Sequence, residues 1–291
     1  MDFRAIAMGL AFSLMWSSAF ATARIIVAAA PPLMTLCVRF AISGLIAIGV
    51  ARALGQSWRL TGPQLRSVLV FGLCQNALYL GLNFVAMKSV EASLASVIAS
   101  SMPLIVAALG WGLRGEKVGP LGLLGLVAGF LGVALIMAGR IGTGADPLGV
   151  ALCVGGATAL AVATLSVKSA TSGGNLLMIV GLQMLVGSVA LGILAVVTEA
   201  PVVVWSTPLI LAFLYQIFVP GLAATLLWFT LVGRIGAVKA STFHFLNPFF
   251  GVMMAALLLG ETIGVLDMAG VTIAAAGILA VQMSRMRVGG Q

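Results

Sequence analysis

Long apolar runs alternate with short polar or turn-forming breaks along the whole chain, and this pattern predicts ten membrane-spanning helices. The runs cover 3–27, 33–54, 65–87, 91–113, 119–139, 147–168, 176–197, 208–232, 237–259 and 263–284. Each is close to the roughly 20 residues that a helix needs to cross a hydrocarbon layer of about 30 Å. Turn chemistry separates them. Pro31-Pro32 ends the first run, Arg52, Gln56, Arg59 and Arg66 mark the link before the third, and Ser172-Gly173-Gly174-Asn175 precedes the seventh.

A second pattern is laid over the first. Ala95-Ser96, Pro103, Gly115-Glu116…Gly119, Gly125 and Gly132 return 145 positions later as Ala240-Ser241, Pro248, Gly260-Glu261…Gly264, Gly270 and Gly277. One gapless offset that fits so many unlike residue types predicts two similar units, 1–142 and 143–291.

Composition narrows the class. The chain has 291 residues, 62% hydrophobic and 8% charged, where soluble domains carry about a quarter charged residues. The spans use almost the whole length, which leaves no soluble domain. A net charge of +8 would suit nucleic acid if it were clustered, but the basic residues stand singly between apolar runs. Cys37, Cys74 and Cys153 each fall inside an apolar run, odd in number and without a C-x-x-C pair, so they read as small packing residues rather than a disulfide or metal set. The first run is too long for the apolar core of a signal peptide and is read as an uncleaved helix.

Charge then orients the chain. With the N-terminus in the cytoplasm, eleven of fifteen basic residues fall on the inside, and Arg24, Arg39, Lys88 and Arg140 fall at the outer ends. Both termini are therefore expected in the cytoplasm. Five spans per unit is an odd number, so the second unit must enter from the opposite face. The expected fold is all-α and integral to the membrane, with ten transmembrane helices in two inverted five-helix repeats. Inverted repeats typify secondary transporters that bind substrate near the midplane.

Trp16-Ser17-Ser18-Ala19-Phe20, Arg39-Phe40 and the doubled Pro…Gly-Glu…Gly pattern resemble the EamA-type drug/metabolite transporter superfamily, over nearly the whole chain. Within it the chain is most similar to bacterial amino-acid exporters, including the aromatic amino-acid exporter. The resemblance implies ten helices and export of a small metabolite; the chain is also expected to lie in the bacterial inner membrane and to work as a monomer. No G-x-x-x-x-G-K-[ST] is present, so neither ATP nor another cofactor is expected to drive it. No G-x-S-x-G surrounds a serine, which argues against an intramembrane hydrolase. A channel is the other reading.

Candidate functional residues follow from polar chemistry placed in lipid. Pro103 and Pro248 fall inside spans, where each would free the carbonyls of Ala99 and His244 and act as a hinge or a fixed kink. Asn76, Tyr79 and Asn83 share one helical face, costly against lipid and suited to a cavity. Trp228 holds the repeat position of Asn83, and Ser93, Ser96 and Ser100 form a further stripe that serves either packing or a cavity. Trp16, mid-span, offers a face for stacking. His244, the single histidine, can contact substrate, carry a proton or simply pack. Arg39 either holds a substrate carboxylate or snorkels toward an outer acid. Glu116 and Glu261 lie a membrane thickness apart in this topology, so they are expected to cap the helix that follows each. No Asp or Glu is expected at mid-membrane.

Overall fold

The computed structural model describes residues 3–114, 119–142, 145–166, 175–235, 240 and 242–288. Among these the chain is helical, without strands. We number its helices α1 (Phe3–Val27), α2 (Pro32–Ala53), α3 (Gly62–Ala86), α4 (Ala92–Ser100 and Met102–Arg114), α5 (Pro120–Gly142) and α6 (Pro147–Ser166) in the first part. They continue as α7 (Leu176–Thr198), α8 (Thr207–Ile235), α9 (a 3-10 turn at Thr242–Leu246, then Asn247–Leu259) and α10 (Val265–Val288). Among the described residues nine of these are long and apolar enough to cross a membrane, and α9 carries a shorter apolar run, Phe243–Leu259. Large apolar side chains such as Leu124, Val197 and Leu257 stand exposed around the bundle, as a protein solvated by lipid requires.

The helix pairs that pack most intimately are α5 with α10 and α2 with α7, and each pair joins repeat equivalents. At the first crossing four glycines replace side chains. A Cβ at Gly125 would lie 2.8 Å from the Gly277 carbonyl, and one at Gly132 would lie 2.7 Å from the Gly270 carbonyl. The order of contacts is antiparallel, 125 with 277 and 132 with 270. The offset of 145 carries the first contact onto the second, so a two-fold axis passes between them. At the second crossing, Ser188 Oγ donates to the Cys37 carbonyl (2.8 Å) while Gly44 lies against Gly181, again antiparallel. Equivalent helices that run in opposite directions make the repeat an inverted one. Lipid offers no hydrophobic drive for helices to associate, so this close backbone packing carries the interface.

Pro103 and Pro248 do not sit within continuous helix, as the run lengths suggested. α4 breaks at Ser101, whose N–H turns back to Ile98 (3.1 Å), and restarts at Met102. α9 changes from a 3-10 turn to α-helix at Asn247. Each proline occupies the first turn of the restarted piece, where its missing N–H costs nothing. Serines satisfy backbone around the breaks. Ser13 Oγ donates to the Phe243 carbonyl (2.9 Å), Ser17 Oγ to the Asn247 carbonyl (3.3 Å) and Ser101 Oγ to the Ile98 carbonyl (2.6 Å).

A second paired irregularity was invisible in the apolar pattern. α3 is a π-helix over Gly72–Tyr79 and α8 over Ile217–Ala223. The offset of 145 superimposes their starts, so both repeats carry the same insertion. The second holds Pro220, whose absent N–H the widened turn accommodates.

Carboxylates tie one end of the bundle together, where α2, α4 and α6 begin. Glu199 accepts from Leu33 N (2.9 Å) and Met34 N (2.8 Å), and Glu261 accepts from Ala92 N (2.8 Å) and Ser93 N (3.1 Å). Glu261 thus caps α4 and not the helix that follows it, because the bundle brings α4's free N–H groups closer than those of α10. Asp146 accepts from Ser89 Oγ (2.8 Å) and from the first turn of α6, and these bonds hold its carboxyl below the usual range. Glu116 lies outside the described residues.

Candidate functional site

A cavity lies between α1, α2, α3, α7 and α8, so both repeats build it. Trp16 and Phe20 come from α1, Arg39 and Phe40 from α2, and Gln183 and Met184 from α7. The two π segments supply much of the rest: Gln75, Asn76 and Tyr79 from the first, Pro220 and Gly221 from the second. A π turn shifts the phase of a helix, which lets α3 and α8 present polar side chains here and apolar ones to lipid. The Trp16 and Tyr79 rings are nearly parallel, at 5°, with centroids 6.4 Å apart.

The polar groups of the lining are held firmly. Asn76 Nδ2 donates to the Gln183 carbonyl (3.0 Å), and Asn83 Nδ2 to the Tyr79 carbonyl (2.8 Å). Gln216 Nε2 donates to the Ala19 carbonyl (2.7 Å) and Thr22 Oγ1 (2.8 Å). Arg39 is 4% exposed, donates from Nε to the Gln216 carbonyl (3.1 Å) and lies 5.0 Å from the centroid of Phe40. It neither snorkels nor meets an acid. Its Nη1 has no partner, and neither have Ser43 Oγ, Asn83 Oδ1 and Gln216 Oε1. No carboxylate lines the cavity among the described residues.

Trp228 and His244 stand apart from this lining. They join Phe12 in an aromatic plug on the N-terminal side of Trp16. Phe12 lies 4.7 Å from Trp228 and 5.5 Å from His244, ring centre to ring centre, and Trp228 lies 5.0 Å from His244. Asn247 Nδ2 meets His244 Nδ1 at 2.9 Å. Beyond them Phe243 packs on Gly9 within a small cluster formed with Ala5, Leu231 and Ala240. Trp16 is the α1 lining residue nearest the N-terminus, and Phe12, one turn further on, lies 5.7 Å from it, ring centre to ring centre. Ser100 is also outside the lining. Its Oγ donates to the Ser96 carbonyl (2.6 Å) within α4, while Ser93 Oγ and Ser96 Oγ are buried without a partner.

Of the residues picked out by their chemistry, Trp16, Asn76, Tyr79 and Asn83 meet in the cavity, while Ser100, Trp228 and His244 do not. Sequence reasoning passed over Gln183, Gln216 and Gly221. The two glutamines had a readable signal: each is an amide in the middle of an apolar span, which lipid penalises. Gly221 had none. Among the described residues no group of three His, Cys, Asp or Glu lies close enough to hold a metal ion.

Comparisons with known proteins agree with this architecture. The model of the EamA-like transporter family matches twice, over residues 3–138 and 147–283. The uncharacterized transporter YvbV of Bacillus subtilis (strain 168) is 31% identical over 261 residues, covering 88% of this chain and 84% of that protein. The uncharacterized transporter sll0355 of Synechocystis is 30% identical over a shorter stretch, 126 residues, or 42% of this chain and 37% of its own. A crystal structure that is 19% identical covers 99% of both chains with a TM-score of 0.71, and so shares the fold. The chain is a multi-pass membrane transporter of small molecules, not an enzyme, and it belongs to the EamA-like transporter family.

Proposed function

We propose that the protein exports small neutral or zwitterionic metabolites from the bacterial cytoplasm by alternating access, and that amino acids, the aromatic ones included, are its substrates. One observation carries this reading. A cavity shared by both repeats presents parallel Trp16 and Tyr79 faces and holds amide groups and a single buried cation. Aromatic faces suit a flat apolar body, and fixed polar groups orient its polar end. The units 1–142 and 143–291 would rock about the α5–α10 and α2–α7 crossings, with the breaks at Pro103 and Pro248 as hinges. In this reading both termini are cytoplasmic and one chain suffices.

Proteoliposomes loaded with an unlabelled amino acid and offered the same labelled one test the proposal. Trans-stimulated uptake of phenylalanine, tyrosine or tryptophan is expected, with and without a pH gradient. Uptake without trans-stimulation would indicate a channel, and no uptake of any amino acid would remove them as substrates.

A further inference from the structure

The cavity's charge is unbalanced. Arg39 lies seven residues into α2, about 10 Å from its start, and is 4% exposed. A buried cation is stable only when paired and fully bonded, yet Nη1 lacks a partner. A neutral carbonyl on Nε and the face of Phe40 supply only part of what the ion loses on leaving water. Two more polar atoms beside it, Ser43 Oγ and Gln216 Oε1, are also unpartnered.

The repeat shows how the two equivalent crossings differ. Asn76 in the first unit corresponds to Gly221 in the second, and Met184 to Arg39. Asn76 fills its crossing with α7, lying against Gly187 and bonding Gln183. At Gly221 the equivalent approach to α2 is close, with no side chain between the helices. A Cβ there would lie 2.8 Å from the Gln216 carbonyl, 3.3 Å from Ser43 Oγ and 3.7 Å from Arg39 Nη2. The second unit therefore brings its backbone close to Ser43 and Arg39 where the first places a side chain.

We propose that Arg39, with Ser43 beside Gly221, is an anion subsite that takes the carboxylate of the transported molecule, and that no charged partner for an ammonium exists among the described residues of the lining. The subsite rests on the reading of the cavity as the transport site and deepens it. A carboxylate supplies the missing acceptor for Nη1 and accepts from the Ser43 hydroxyl. The groups open to an N–H donor, such as Asn83 Oδ1, are neutral. A monoanion neutralises the site, whereas a zwitterion adds an ammonium that nothing of opposite charge meets. Monocarboxylates with an apolar or aromatic body are thus substrates in their own right, and the amino group is dispensable.

Three probes of one shape separate the terms: phenylalanine, phenylalanine amide and 3-phenylpropionate. Each competes for counterflow in proteoliposomes, and each is titrated against the purified protein by tryptophan fluorescence. 3-Phenylpropionate is expected to bind at least as tightly as phenylalanine, and the amide at least about tenfold more weakly. In Arg39→Gln the two acids fall to the level of the amide, while Arg39→Lys keeps part of the preference. Should Arg39→Gln not purify as a monodisperse protein, Ser43→Ala replaces it, with a loss of about threefold or more confined to the acids. Amide and acids binding alike in wild type, or an acid preference that survives both Arg39→Gln and Ser43→Ala, overturns the subsite. Counterflow of 3-phenylpropionate but of no amino acid overturns the amino-acid reading and leaves the subsite standing.

Discussion

The ring of Phe243 occupies the space that a Cβ on Gly9 would need. With Ser13 bonded to the Phe243 carbonyl, this contact packs α1 against the 3-10 turn of α9 on the N-terminal side of Trp16. If transport proceeds by alternating access, this contact is a seal that must open. Gly9→Ala would overpack it by about 1–3 kcal/mol. If the contact exists only in the closed state, the ratio of closed to open molecules falls by roughly fivefold to a hundredfold. A cysteine at Met8, in a variant lacking Cys37, Cys74 and Cys153, should then react several times faster with a maleimide. Unchanged labelling would mean that Phe243 yields without opening the seal.

Pro103 and Pro248 begin the second pieces of two broken helices. Alanine at either site restores an N–H and lets the break close into continuous helix. Pro103→Ala and Pro248→Ala are expected to slow transport by about tenfold, equivalent to ~1.4 kcal/mol on the barrier. The half-saturation concentration should change little, because neither proline lines the cavity. Counterflow rates measured at several substrate concentrations check this, and wild-type rates in both variants would leave the prolines as fixed kinks.

Glu261 accepts two backbone N–H groups at the start of α4, across the chain from its own position. Glu261→Gln keeps the shape but loses the charge and one acceptor. The expected loss is about 1–2 kcal/mol of stability, typical of a helix cap. It should appear as a lower midpoint of thermal denaturation in detergent, with substrate affinity unchanged. An unaltered midpoint would show that water replaces the carboxylate at this end.

The sequence carried the architecture because lipid imposes long apolar runs, and because the offset that joins Gly125 to Gly270 survives point by point. It also picked out three residues of the cavity lining that are costly in hydrocarbon, Asn76, Tyr79 and Asn83. Trp228 and His244 lie outside that lining, since a polar or aromatic side chain in mid-span can be satisfied by other helices as well as by a cavity. Here Phe12 and Asn247 satisfy them. Glu261 was read as a cap correctly in kind but on the wrong helix, because spacing along the chain says nothing of which N-terminus the fold brings near. The π turns and the close approach at Gly221 are properties of backbone phase, and no side-chain pattern announces them.

The glycines of the α5–α10 crossing test whether packing without side chains holds the two repeats together. A side chain at Gly132 or Gly277 would collide with backbone, 2.7 Å from the Gly270 or Gly125 carbonyl, so no rotamer relieves it. Gly132→Val and Gly277→Val should each cost at least about 1–3 kcal/mol and force the helices apart. Gly233, in α8, has nothing within 4 Å of its Cβ position. Gly233→Ala should therefore be neutral or stabilising by up to ~1 kcal/mol, through the higher helix propensity of alanine. Thermal midpoints and yields of monodisperse protein measure all three. Equal behaviour of the valine variants and Gly233→Ala would show that the crossing is not what holds the repeats together.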